Sequence, residues 1–113
     1  MKDIQKGIDL FNDCDYFSAH DFFEDIWMDS SGEEKDFYQG LVQISVGCYH
    51  LICGNMPGAK SQIKKGMDKL SKFIPEYNKL NLSELISKLK KILIDLESNK
   101  KNIKDIPTLI ITK

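Results

Sequence analysis

The feature that most restricts how this chain can fold is residues 37–55, a stretch without a charged side chain. It contains two glutamines, a serine, a histidine and three glycines. It is therefore too short and too polar to span a membrane comfortably. A helix that is apolar on most of its circumference is buried on most sides. The stretch predicts a helix inside a protein, with its few polar groups buried as well.

Length and charge restrict the number of domains and the kinds of binding partner. At 113 residues, the chain predicts one domain with a single hydrophobic core. Its net charge of −1 gives no reason to expect nucleic acid or an acidic membrane surface as a partner. Every basic residue is lysine, which excludes bidentate arginine clamps on phosphate or carboxylate.

The first residues of the chain and its cysteines indicate the cellular compartment. The first ten residues lack the apolar core of a secretory signal. The three cysteines are odd in number and lack the paired C-x-x-C spacing of a structural zinc site. We therefore expect a cytoplasmic protein with reduced thiols.

The spacing of apolar residues is helical over most of the chain. It predicts an all-α fold, a small bundle of four to five helices over residues 1–98 with an extended tail over 99–113. Asp15, Ser31 with Glu34, and Asn81 with Glu84 are predicted to cap helices. A helix beginning near Pro57 is predicted to continue to Pro75. The predicted helices cover 4–11, 16–28, 31–53, 57–75 and 81–98.

Polar residues form one line along the third predicted helix. On a helical wheel, Gln39, Gly47 and His50 fall close to the angle of Gln43. In the second helix, His20 and Glu24 share a face with aromatic residues. A buried amide or imidazole without a partner costs about 1–3 kcal/mol. We therefore expect antiparallel packing of these helices, with His20, Glu24, Gln43 and His50 converging between them.

Three hypotheses fit this arrangement. The set is a hydrogen-bonded network that fixes helix register, an acid–base site without a metal, or a metal site. Two imidazoles and a carboxylate suit zinc, iron or manganese, with His20, Glu24 and His50 as the ligands. The other candidate pocket residues are Tyr16, Trp27, Gln39, Gln43, Gly47 and Asn55.

The order of short motifs resembles a known family. The pattern reads F-N-x-x-x-Y-F-x-A-H-[ED]-x-x-E-x-x-W, then Q-G-L-x-Q, H and G-N-x-x-G-A. Its residues here are Phe11, Asn12, Tyr16, Phe17, Ala19, His20, Asp21, Glu24, Trp27, Gln39, Gly40, Leu41, Gln43, His50, Gly54, Asn55, Gly58 and Ala59. The pattern is similar to that of the bacterial and archaeal domain-of-unknown-function family 309. The family usually has glutamate at the position of Asp21.

The resemblance implies an all-α bundle that often self-associates, and it supplies no activity. Two functional hypotheses follow. The leading one is a His20, Glu24 and His50 pocket for a divalent metal or a small polar ligand of unknown identity, with a hydrolytic role left open. The alternative is a non-enzymatic interaction module, a homodimer, whose polar residues only fix packing.

Overall fold

A computed structural model describes residues 2–98 and 109–110. The described part is an all-α bundle with one small hairpin. The elements are α1 (Gln5–Asn12), α2 (Tyr16–Met28), α3 (Gly32–Ile52), α4 (Met56–Leu70), a 3₁₀ turn (Ser71–Phe73), β1 (Glu76–Tyr77), β2 (Leu80–Asn81) and α5 (Leu82–Glu97). The predicted fold class is confirmed. None of the helices in the described ranges combines the length and hydrophobicity of a membrane span.

Side-chain caps fix the start of three helices. Asp15 accepts from the Ser18 N–H at α2, Asn55 from the Gly58 N–H at α4, and Asn81 from the Glu84 N–H at α5. These acceptors satisfy N–H groups that the first helical turn leaves without partners.

The predicted capping box at Ser31 is wrong. The Ser31 side chain makes no hydrogen bond to the first turn of α3. Gly32, the next residue, has a φ of +62°, so the chain enters α3 through a turn that glycine favours. Glu33 and Glu34 still place negative charge at the positive end of the helix.

The region after α4 also differs from the prediction. The helix ends at Leu70 and not at Pro75, and a 3₁₀ turn and the β1–β2 hairpin follow. Glu76 pairs with Asn81, and Tyr77 pairs with Leu80. Asn78 and Lys79 both have positive φ, as the tight turn between antiparallel strands requires. The Tyr77 ring lies 4.6 Å from the Phe37 ring, so the hairpin contributes to the core.

Most of the predicted tail, residues 99–113, lies outside the described residues. Leu109, which is described, is 3% exposed. Asn12 holds its backbone by two hydrogen bonds, one of 2.8 Å from the Leu109 N–H and one of 3.0 Å to its carbonyl. The Asn81 N–H donates to the Ile110 carbonyl at 2.8 Å. At these two residues, the chain contacts α1 and β2.

Helix α3 packs against α2 and α4. Its contact with α4 is close because glycines lie at the crossing. A Cβ placed on Gly66 would lie 2.9 Å from the carbonyl oxygen of Gly40 and 3.0 Å from the backbone nitrogen of Ile44. A Cβ on Gly47 would lie 3.0 Å from the backbone nitrogen of Ile63. Because these neighbours are backbone atoms, they cannot move aside by a change of rotamer.

We predict that Gly66→Ala destabilises the protein by about 1–3 kcal/mol, although alanine is the better helix former by about 1 kcal/mol. The new methyl group would push α4 away from α3. Urea denaturation measures the change in the free energy of unfolding. Lys64→Ala, on the exposed side of α4, is the control and should change it little. Equal or greater stability of Gly66→Ala would contradict the close crossing.

Candidate functional site

A cleft opens between α2 and α3, and we call the residues that line it the cleft face. Its volume is about 280 Å³, and its accessible lining is almost entirely carbon. The ring centroid of Phe17 lies 5.9 Å from those of both His20 and Tyr49. The cleft face consists of Phe17, His20, Val46, Tyr49 and His50.

The two helices run antiparallel, as predicted. Phe17, near the start of α2, contacts Tyr49 near the end of α3. At the other end, the Lys35 ammonium lies 5.0 Å from the centre of the Trp27 ring.

His20 is held by carboxylates of its own helix. Its Nε2 lies 3.2 Å from Glu24 Oε2, and its Nδ1 lies 3.4 Å from Asp21 Oδ1. Only the contact with Glu24 has the geometry of a hydrogen bond, so a neutral His20 ring donates from Nε2 to the Glu24 carboxylate. The His20 side chain is 23% exposed and that of Glu24 is 44% exposed. Pairs as exposed as these contribute at most about 1 kcal/mol, and they mainly fix the ring orientation.

His50 is oriented by the cap of α4. The Oδ1 of Asn55 accepts from the Gly58 N–H at 3.1 Å, so the Asn55 amide nitrogen remains as the donor. That nitrogen lies 3.3 Å from His50 Nδ1. Nδ1 must therefore accept, which assigns the ring proton of neutral His50 to Nε2.

The G-N-x-x-G-A motif builds this arrangement. Gly54 has a φ of +81°, which turns the chain between α3 and α4. A Cβ on Gly58 would lie 2.5 Å from the Asn55 amide nitrogen and 3.1 Å from His50 Cδ2. The motif therefore caps α4 and fixes one histidine of the cleft face.

The structure brings part of the predicted metal set together. His20 contacts Glu24, and His50 lies on the same cleft. Over residues 2–98 and 109–110, however, no three His, Cys, Asp or Glu side chains form a group that could hold a metal ion. Carboxylates lie beside His20, whereas the neighbour of His50 Nδ1 is the Asn55 amide.

The expected convergence on Gln43 needs correction. Gln39 and Gln43 lie in a different groove, together with side chains of α4. Gln43 and His50 share an angle on the helical wheel, but seven residues separate them by about 10 Å along the axis. The polar line is also half-buried and not fully buried.

The four other expected pocket residues do not line the cleft. Tyr16 is in the core, edge-on to Phe11 at 5.0 Å, with its hydroxyl 3.6 Å from Cys14 Sγ. Trp27 packs against the core under Lys35, and Gly47 lies against Ile63 of α4. Asn55 contacts His50 and is not among the residues that line the cleft.

Two buried ionisable groups, Tyr16 on α2 and Cys48 on α3, take no part in acid–base chemistry at neutral pH. Burial raises the pKa of the Tyr16 hydroxyl well above its ordinary value. Burial likewise raises the pKa of the Cys48 thiol to about 12. Both groups therefore stay protonated at neutral pH and serve packing.

The sequence analysis missed Phe17, Val46 and Tyr49 as parts of the site. A signal was present in each case. Phe17 lies one helical turn before His20, and Val46 lies one turn before His50. Tyr49 directly precedes His50 in the sequence. The apolar side chain of Phe17 is 57% exposed.

Comparison with known proteins identifies the family of this chain. Residues 4–62 match the model of "Domain of unknown function (DUF309)". The chain therefore belongs to this family, and the match includes every residue of the cleft face. It is also 24% identical over 84 residues to an "Uncharacterized protein" of Aquifex aeolicus (strain VF5). That alignment covers 74% of this chain and 25% of the relative, so the chain spans about a quarter of the relative's length.

We predict that Asn55→Ala lowers stability by about 1 kcal/mol, because α4 loses its cap, and releases His50. Histidine-selective ¹⁵N NMR should show the Nε2–H form in the original protein and a mixture of tautomers in the variant. The chain has only two histidines, which simplifies assignment.

Asn81→Ala is the matched control. It removes the equivalent cap of α5, so it should lower stability by a similar amount and leave the His50 signals unchanged. A predominantly Nδ1–H form of His50 in the original protein would contradict the assignment.

Proposed function

We propose that this member of the DUF309 family is a non-enzymatic interaction module that forms a homodimer through its cleft face. The proposal rests chiefly on the surface of α3. This helix has no charged side chain from residue 37 to its end at Ile52. Even so, Val42, Val46 and His50 are only half-buried in the single chain, and Tyr49 is 38% exposed.

The partly exposed residues Val42, Val46, Tyr49 and His50 form an uncharged strip on α3. Such a strip favours contact with another protein surface. Exposed faces of helices in soluble proteins normally carry charged residues. Protein interfaces, in contrast, are depleted of charge at their centre and enriched in aromatic residues. The cleft face carries Phe17 and Tyr49 beside an apolar cavity.

The chemistry of the strip favours a second copy as the occupant. In a two-fold contact, residues near the axis meet their own copies, so a charged residue there would oppose its like. The strip of α3 has no such residue. The patch also pairs a projecting ring, Phe17, with a cleft of about 280 Å³, so that each copy offers both a knob and a hole.

The polar contacts of the two histidines agree with a structural role. Each contact is local: His20 with Asp21 and Glu24 in the same helix, and His50 with Asn55. They hold two rings at the edge of an apolar cleft. We also propose a cytoplasmic location, which the free thiols of Cys14, Cys48 and Cys53 support.

We expect the protein to sediment as a dimer in analytical ultracentrifugation. Phe17→Glu should weaken association about 30-fold or more, because it places a charge against its own copy at an aromatic anchor. Ile94→Glu is the matched control, since Ile94 on α5 is a similarly exposed apolar residue outside the cleft face. Circular dichroism should confirm that both variants keep their helices.

A monomer at the highest attainable concentration would overturn the dimer. Equal weakening by Phe17→Glu and Ile94→Glu would place the interface elsewhere.

Elemental analysis of untagged protein distinguishes this proposal from the metal hypothesis. We expect no stoichiometric zinc, iron or manganese, since no three ligand side chains come together among the described residues. One equivalent of metal that is lost in both His20→Ala and Glu24→Ala would favour the metal site. Loss in neither variant would assign the metal to other residues.

A further inference from the structure

The two helices beside α3 carry opposite charges. Helix α2 contains three carboxylates and no lysine, which gives a net charge of −3 when His20 is neutral. Helix α4 contains four lysines and one aspartate, which gives a net charge of +3. The net charge of −1 for the whole chain does not reveal this separation. Complementary charges of this kind determine how two protein surfaces align more than how tightly they bind.

Both charged helices border the side of α3 on which the cleft opens. Gln43 of α3 lines a second groove, toward α4, together with Lys65 and Lys69. On the helical wheel, Val46 and His50 of the cleft face lie within about 60° of Gln43. The cleft and these two lysines therefore lie on the same side of the bundle.

Several charges on this side have no ionic partner among the described residues. Asp25 on α2 and Lys65 and Lys69 on α4 have no opposite charge within ion-pair distance there. Asp21 contacts the neighbouring histidine, and its side chain is 62% exposed. Asp21 and Asp25 follow Phe17 by one and two turns of α2, so they lie beside it on the outer surface of the helix.

We infer that the two copies of the homodimer pack with their α3 helices parallel, so that α2 of each copy lies against α3 and α4 of the other. This inference rests on the homodimer proposed above and adds its arrangement. A two-fold axis parallel to α3 brings the two clefts together and keeps each residue at the same position along the helix axes. An axis across the helices would instead place α2 against α2, with carboxylates facing carboxylates.

The position of each carboxylate along the bundle follows from one contact between α2 and α3. The Phe17 ring lies 5.9 Å from the Tyr49 ring, so these two residues are at a similar level along the axis of α3. Helix α2 runs antiparallel to α3. Because a helix rises about 1.5 Å per residue, Asp21 lies about 6 Å from the level of Tyr49 toward the start of α3, and Asp25 about 12 Å.

The lysines of α4 lie at the same two levels. A Cβ on Gly47 would be 3.0 Å from the backbone nitrogen of Ile63. Because Gly47 precedes Tyr49 by two residues, Ile63 lies about 3 Å from the level of Tyr49. Helix α4 also runs antiparallel to α3, so Lys65 lies about 6 Å from that level and Lys69 about 12 Å.

The parallel arrangement therefore matches opposite charges. Asp21 comes level with Lys65 of the second copy, and Asp25 comes level with Lys69 of the second copy. The two-fold axis repeats both pairs on the other side of the uncharged strip. Exposed ion pairs at the rim of an interface add little affinity, but they suppress arrangements that bring like charges together.

The test is the dissociation constant of the dimer, measured by sedimentation equilibrium on charge-reversed variants. Asp25→Lys and Lys69→Asp should each weaken the dimer about tenfold, because each brings like charges to the same level. The double variant restores opposite charges, so its dissociation constant should lie within about threefold of the original value. The original dimer should also weaken between about 0.05 M and about 0.5 M sodium chloride, because salt screens charges at the rim.

Lys64→Asp is the matched control. Lys64 is an exposed lysine of α4 outside the second groove. The same reversal of charge there should leave the dissociation constant almost unchanged. Circular dichroism should confirm that all variants keep their helices.

The distance between two spin labels measures the arrangement directly. Ser31→Cys carries the label at the start of α3, Cys14→Ser and Cys53→Ser remove the exposed thiols, and Cys48 is buried. In the parallel arrangement, the two labels should lie within about 30 Å of each other. An axis across the helices would separate them by more than about 40 Å, because the cleft begins about 15 residues further along α3.

Tighter association of Asp25→Lys would overturn the parallel arrangement, because it would indicate that α2 faces α2. So would equal weakening by Lys64→Asp, a double variant that does not recover, or labels more than about 40 Å apart. All these outcomes still require a dimer. A monomer at every salt concentration would instead overturn the homodimer itself, and this arrangement with it.

Discussion

The close crossing of α3 and α4 is the contact on which the other features depend. At Gly40, Gly47 and Gly66, neighbouring atoms occupy the space that a side chain would need. This approach brings the first turn of α4 next to the end of α3, where Asn55 can cap one helix and contact a histidine of the other. It also leaves the remaining surface of α3 in two grooves, one toward α2 and one toward α4. These glycines therefore determine where both grooves form, although Gly40 and Gly66 line neither of them.

Most of the helical architecture could be predicted because it depends on local signals. Apolar spacing located α1 to α5, and the caps at Asp15, Asn55 and Asn81 agree with residues that favour such positions. The errors arose where a neighbouring residue or a distant contact decides. Gly32 alters the entry to α3. The β1–β2 hairpin turns at Asn78 and Lys79, a pair without the glycine that usually marks such turns, and it packs on Phe37 from far along the chain.

The candidate site was harder to predict, for a geometric reason. A helical wheel gives the angle of a side chain and not its height along the axis. It correctly grouped His20 with Glu24, one turn apart, but it also grouped Gln43 with His50, which lie in separate grooves. The wheel also does not show how close a neighbouring helix lies. Tyr16, which was expected in the pocket, is therefore buried in the core, whereas Phe17 and Tyr49 line the cleft.

The attachment of Leu109 to Asn12 has a consequence for the order of folding. The helices pack mainly on their neighbours in sequence, so most contacts close short loops and can form quickly. The two hydrogen bonds at Asn12 join residues 97 positions apart, the longest separation among the described side-chain hydrogen bonds. Closing so long a loop is entropically costly until the bundle has brought the two ends together. We therefore expect these two hydrogen bonds to form late in folding and to open early in unfolding. The Leu109 amide should exchange its hydrogen before the amides of α3 do.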